Sequence, residues 1–184
     1  MGIKPRLLLH VCCAPCCTYP ITALQDAFDV ELFFYNPNIH PEEEYKARLD
    51  EAEKYASKIG IILHKAAYEV DAWFRATAGL QNEPEGGDRC EICYRMRLGK
   101  TAQFAATNGF AFFATTLSIS PHKDAEKINA LGGMIADMYM LKFYGADFKK
   151  NDGFKKSAQM SKEAGLYRQD YCGCQYSKKG KGLI

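Results

Sequence analysis

Apolar residues along this chain follow two alternating patterns. Short solid runs at residues 7–11, 30–35 (VELFFY), 61–64 and 110–116 (FAFFATT) have the length and composition of buried strands. Between them, apolar residues recur at three- and four-residue steps, the spacing of a helix that buries one face. The clearest case follows Pro41, where Tyr45, Leu49, Ala52, Ala56 and Ile59 keep that rhythm until Gly60 closes it. Glu42, Glu43 and Glu44 fill its first turn, where the helix dipole favours negative charge. A short helix is expected from Pro15 toward Ala27 and another over residues 68–78 around Trp73 and Phe74. A longer one should run from Cys90 through Leu98, Ala102 and Ala105 to Gly109, after a polar, glycine-rich loop at residues 83–89. Further helices are predicted from about Asp124, through residues 135–143, and near residues 154–164.

Strands alternating with helices predict an α/β fold with an open, mostly parallel sheet. The first three strands form one wing, and the long excursion before the fourth predicts its return to the other side of the first. Ligands bind such sheets beyond the carboxyl ends of the strands, where the chain order reverses. Residues 12–17, after the first strand, and residues 118–123, after the fourth, should therefore meet at one crevice.

At 184 residues, the chain is expected to form one domain with a real core, and 47% hydrophobic against 25% charged residues excludes a disordered chain. No apolar run approaches the roughly 20 residues of a membrane span, and no basic segment leads into an apolar one as in an export signal. A cytoplasmic protein without membrane partners is the expectation. Residues 142–184 carry ten Lys/Arg against four acids, a net +6, which leaves −4 on residues 1–141. A basic, helical C-terminal extension on an acidic body suits a polyanionic partner.

Eight cysteines in a reducing compartment call for a metal or redox role. They fall into Cys12/Cys13/Cys16/Cys17, Cys90/Cys93 and Cys172/Cys174. Two residues between cysteines bring both sulfurs within reach of one metal, and soft sulfur ligands select zinc, copper(I) or iron–sulfur centres. Cys172-Gly173-Cys174 can face one side, with Gly173 allowing close backbone approach. Thiols between a strand end and a helix start favour the thiolate. A thioredoxin-like use of Cys13 and Cys16 is an alternative, as is a zinc-stabilised RNA-binding module. No phosphate-binding G-x-x-x-x-G-K-[ST] loop and no G-x-G-x-x-G follows the first strand, which argues against a simple nucleotide hydrolase.

Other polar groups gather near the predicted crevice. Ser118, Ser120, His122 and Lys123 follow a strand end and suit a phosphate or ribose contact, and Asn38 and His40 should face the same rim. Arg97 lies on the helix that starts at the crevice, whereas Arg95 is as readily surface charge. Glu85, Asp88 and Arg89 immediately precede Cys90. His10 reads as a satisfied core residue. Tyr167, Arg168 and Tyr171 interleave aromatic and basic groups, with Lys178, Lys179 and Lys181 beyond them, a pattern that can stack unpaired bases and meet phosphates.

Five stretches together carry a resemblance: HVCCAPC at 10–16, YNPNIHP at 35–41, EPEGGDRC at 83–90, TTLSISPHK at 115–123 and YRQDYCGC at 167–174. In this order the chain resembles the cobalamin-independent epoxyqueuosine reductases, the QueH family, over almost its whole length. The resemblance implies a fold like the nucleotide α-hydrolase-like α/β domains without their use of ATP. It implies reduction of epoxyqueuosine to queuosine at the tRNA wobble position, with a [4Fe–4S] cluster and a second metal, iron, beside it. Cys12, Cys13, Cys90, Cys93, Cys172 and Cys174 are the metal-binding set it implies, with Cys16 a further candidate ligand. Such a reaction needs tRNA anticodon loops and an external electron donor. Asp88, Tyr94 and His122 are the candidate proton donors.

Overall fold

The computed structural model describes residues 3–179, so Lys181 of the predicted basic end lies outside the described residues. A five-stranded parallel sheet forms its centre. The strands are β1 (Arg6–Val11), β2 (Asp29–Phe34), β3 (Leu63–Lys65), β4 (Phe112–Thr115) and β5 (Lys142–Phe143), in the order β3-β2-β1-β4-β5. The first strand is central, paired on one side with β2 and on the other with β4. Residues 7–11 are a solid apolar run because both faces of β1 are covered. Leu7, Leu9 and Val11 enter one core layer; Leu8 enters the other.

The first layer is completed by α1 (Ala14–Leu24) and α2 (Glu42–Lys58), which bring Ile21, Leu24, Tyr45, Ala52 and Ala56. Opposite it, Leu8, Phe33 and Phe113 meet Leu98 and Ala102 of α4 (Asp88–Thr107) and Ile128 and Leu131 of α5 (Ala125–Met138). The small α3 (Val70–Ala76) buries Trp73. The side chain of Asp124 caps α5 by accepting from the N–H groups of Glu126 at 2.9 Å and Lys127 at 3.2 Å. The chain ends in α6 (Gly153–Glu163), an extended strap and α7 (Gln175–Lys179).

Two expectations need correction. The helix predicted through residues 135–143 does not exist: α5 ends at Met138, Met140 turns the chain at φ +54°, and Lys142–Phe143 adds a fifth strand to the free edge of β4. Phe143 packs on Phe113 with ring centroids 5.0 Å apart, and a Cβ on Gly132 would lie 2.4 Å from its ring. Gly132 therefore leaves the room that this strand needs. The fourth strand is also shorter than residues 110–116, because the chain tightens into a 3₁₀ turn at Thr116–Ile119. The hydroxyl of Thr115 opens that turn by accepting from the N–H of Leu117 at 3.2 Å.

Candidate functional site

A cavity of about 440 Å³ opens beyond the carboxyl ends of β1 and β4. Its walls include Cys12 and Cys16 after β1, the turn from Thr116 to Lys123 after β4, and Cys172 of the strap. The crevice thus forms where the strand order predicts, on the two sides of the central strand. Helix α6 sets the outer boundary. The hydroxyl of its Ser157 donates to the carbonyl of Pro15 at 2.7 Å, fixing α6 against the start of α1.

The sulfurs of Cys12, Cys13 and Cys16 all lie within 4.8 Å of one another. Pro15 and the first turn of α1 produce this arrangement, with Cys13 as the residue that caps the helix. A second thiol group lies nearby, where Cys93, at the start of α4, and Cys174 are buried against Trp73 with Cys172 packed on them. Cys90 accepts from the N–H of Gly86 at 3.3 Å. All eight cysteines are free thiols.

The strap is brought to the site by Arg48, which is 2% exposed. Its guanidinium donates to the carbonyls of Cys172 at 3.3 Å and Tyr171 at 3.2 Å, while its Nε pairs with Glu44 at 2.6 Å. The N–H of His40 donates to the carbonyl of Gly173 at 2.8 Å, and the Tyr171 hydroxyl donates to the His40 carbonyl at 2.6 Å. Gly173 sits at φ +105°, where an added Cβ would be 2.8 Å from Ile39. Only glycine adopts that backbone at little cost.

Arg97 is buried between the two thiol groups. It donates to Asn36 Oδ1 at 2.7 Å and to His10 Nε2 at 3.3 Å. Because a guanidinium only donates, His10 Nε2 accepts, its proton lies on Nδ1, and Nδ1 donates to Thr115 Oγ1 at 2.9 Å. Burial and the charge of Arg97 depress the His10 pKa to about 3, so the ring stays neutral. A neutral scaffold from β1, the end of β2 and β4 thereby holds one fixed cation beside the sulfurs. The expectation for His10, a satisfied core residue, agrees with this geometry.

The helix start does not favour every thiolate. Hydrogen bonds from Cys13 and Cys16 hold Cys12 well below the ordinary thiol range. Burial pushes Cys13 up to about 12 and also raises Cys17, while the neighbouring sulfurs Cys12 and Cys13 push Cys16 up. In the strap, hydrogen bonding from Cys174 lowers Cys172 well below its usual value. In both groups, hydrogen bonds between neighbouring sulfurs favour the thiolate, at Cys12 after β1 and at Cys172 in the strap.

The family model for epoxyqueuosine reductase QueH matches residues 7–180. The chain belongs to the epoxyqueuosine reductase QueH family. It is 42% identical to the epoxyqueuosine reductase QueH of Streptococcus pyogenes serotype M1, over 99% of this chain and 74% of that protein. It is 41% identical to that of Acinetobacter baylyi over 94% and 80% of the two chains, and 38% identical to that of Thermotoga maritima over 93% and 89%. Among solved structures, it is similar in fold to the U34-tRNA thiolase NcsA from Methanococcus maripaludis, determined with its [4Fe-4S] cluster. The TM-score is 0.53 at 11% identity, over 96% of this chain and 63% of NcsA, somewhat under two thirds of that protein.

The donor set suits the resemblance to QueH proteins. Three mutually close sulfurs beside a fixed guanidinium can hold a soft metal or a metal–sulfur group. Of the other predicted residues, Arg97, Ser120, His122, Lys123, Arg168 and Tyr171 line the crevice. Ser118 is buried with its hydroxyl unpartnered. Asn38 is buried behind the rim, and His40 lies between Trp73 and Phe74 at 4.9 and 4.7 Å, with both ring nitrogens unpartnered.

Asp88 is exposed at the start of α4, away from the cavity walls, because the helix begins two residues before Cys90 and turns it outward. Tyr94 packs in the core layer with Leu8 and Phe33. Burial and the charges of Cys90 and Cys93 keep its phenol protonated. Tyr167 is exposed outside the cavity lining. Arg89 is turned into its own loop, where it donates to the carbonyls of Leu80, Gln81 and Glu83, and Arg95 pairs on the surface with Glu91 at 3.0 Å.

Arg48 and Gln169 are among the crevice residues given no role from the sequence. Arg48 had a signal, since it occupies the same helix face as Tyr45 and Ala52, where a solvated charge does not belong. Gln169 lies within the YRQDYCGC stretch, but its position gives no hint of its partner. Its amide donates to Cys13 Sγ at 2.7 Å, a contact between residues 156 positions apart. Among the described residues, no helix is long and apolar enough to cross a membrane.

Proposed function

We propose that this chain is an epoxyqueuosine reductase that acts on the wobble nucleotide of tRNA in the crevice beyond β1 and β4. The observation that carries the reading is that thiols from two distant segments, Cys12 and Cys16 after β1 and Cys172 in the strap, line one crevice with a polar wall, while Cys93 and Cys174 pack against Cys172. Conversion of the epoxide to an alkene breaks two C–O bonds, consumes two electrons and two protons, and releases one water. Cys12, Cys13 and Cys16 are the thiolates best grouped to hold a [4Fe–4S] cluster. Cys90, Cys93, Cys172 and Cys174 are left for its remaining position and for a second metal, iron. Bound there, these groups supply electrons one at a time and a Lewis acid for the departing oxygen. An external donor supplies the two electrons, one at a time.

The protein's own residues do the rest. Arg97 and Arg48 offset the negative charge of the sulfurs. His122, on the crevice wall, donates one proton to the oxygen and water entering the open crevice supplies the second, while the Tyr94 phenol stays protonated in the core layer. Lys123 and Arg168 meet phosphates at the rim, and Ser120 and Tyr171 orient the nucleoside. The strand order 3-2-1-4-5, without a phosphate loop, supports a nucleotide α-hydrolase-like fold that has given up ATP. The described residues act as one domain, in which Lys142–Phe143 completes the sheet and the segment after it supplies Cys172 and Cys174.

The test is anaerobic purification or reconstitution, iron and sulfide analysis, and assay with tRNA bearing epoxyqueuosine. A brown protein that bleaches with dithionite and yields queuosine supports the reading. Loss of iron on Cys12→Ser or Cys13→Ser supports the assigned ligands. A protein that holds only zinc after reconstitution and leaves the epoxide intact overturns it.

A further inference from the structure

We propose that Phe154, with Arg168 lying on its ring, is a stacking platform for an unpaired base that neighbours the nucleotide entering the crevice. The inference rests on the tRNA reading above. Phe154 is the second residue of α6 and lines the rim of the cavity, yet its side chain is 36% exposed. The Arg168 guanidinium sits 5.0 Å from its ring centroid, with a longer contact of 3.5 Å to the Ser161 hydroxyl. The ring is thus met by a flat cation, and about a third of the residue stays open to solvent at the rim.

The surroundings identify the occupant. Lys155 and Lys156 follow Phe154 on α6 and are exposed, and Lys123 lines the opposite rim. That rim is held in place, because Lys149 Nζ donates to the carbonyls of Ser118 at 3.2 Å and Lys123 at 3.1 Å. A partly exposed aromatic ring with its guanidinium among lysines, on the lip of a crevice, fits a single-stranded nucleic acid, whose bases stack while its phosphates meet the lysines. An apolar peptide would not use the lysines, and a free anion would not use the ring. Drawing one nucleotide out of a loop also strips its neighbour of a stacking partner, which the platform replaces.

The experiment uses anticodon stem-loops carrying 2-aminopurine immediately before or after the wobble nucleotide. Wild-type protein should quench one of the two probes, and Phe154→Trp should keep that quenching. Phe154→Ala should abolish it and weaken binding about tenfold, raising KM with little change in kcat. Its iron content and unfolding midpoint should match wild type, since the side chain is exposed. Unchanged binding and quenching in Phe154→Ala, with wild type binding normally, overturns the platform alone. Failure of wild type to bind the stem-loop overturns the platform together with the tRNA reading.

Discussion

Replacing Arg48 with methionine tests how the C-terminal thiols are brought to the site. Methionine keeps much of the apolar stem in the buried slot but deletes the donors to the carbonyls of Cys172 and Tyr171. A hydrogen bond from a charged donor contributes about 1.5–3 kcal/mol, and these two, at 3.3 and 3.2 Å, belong at the lower end. Their loss should therefore ease opening of the strap by about 3 kcal/mol, or roughly 100-fold in the open population. Bonds between His40 and Gly173 and between Tyr171 and His40 survive, so the strap should open more often without leaving the fold. The assay is iodoacetamide labelling of metal-free protein under anaerobic conditions, read by mass spectrometry. Cys174, 6% exposed, should label about 100-fold faster, while Cys17, buried at 0% in the α1–α2 core layer, should keep its rate. Equal acceleration at both cysteines would show that Arg48 supports the whole fold, and no acceleration would show that other contacts hold the strap. Either result refutes the reasoning.

The same strap should resist Gly173→Ala, because a Cβ at φ +105° also meets Arg48 at 3.2 Å. A loss of about 1–3 kcal/mol in urea unfolding is expected, and an unchanged midpoint would contradict it. Gln169→Leu removes the N–H donated to Cys13 Sγ. With the proposed cluster held at Cys13, hydrogen bonds to its sulfurs favour the reduced state, so the midpoint potential should become more negative while iron content holds; a spectroelectrochemical titration decides. Glu31 shows a pH dependence independent of the thiols. Its burial opposes ionisation, but hydrogen bonds from His64 at 2.6 Å and Arg6 at 2.7 Å outweigh it and hold the carboxyl below its usual range. The folded state then binds the proton less readily than the unfolded chain, so this stability is present above about pH 4.5 and is lost as pH falls through the depressed value. Glu31→Gln should be about 2 kcal/mol less stable at pH 7 and show a flatter acid limb in denaturant titrations than wild type.

The sequence by itself determined the elements whose burial pattern is local. Residues 7–11 read as a central strand because every side chain there is apolar or can be satisfied inside, and α2 reads as a helix because Tyr45, Ala52 and Ala56 repeat along one face. Even the return of β4 to the far side of β1 was legible, since a parallel strand needs a long crossover. The same topology placed residues 12–17 and the polar turn at 118–123 on one crevice, because they follow adjacent strand ends.

What remained was decided by contacts between distant residues. Two residues of β5 are too few to carry a period, and the strand exists because β4 has a free edge and Gly132 yields space to Phe143. Arg97 looked like a rim charge, but packing against His10 and Asn36 made it a buried cation between two thiol groups. Arg48 gains its meaning only when the strap crosses over it, and Gln169 only when the strap carries it to Cys13. Periodicity reports which face of an element is buried; which charges and sulfurs share that burial depends on the partner element, and only the folded chain supplies it.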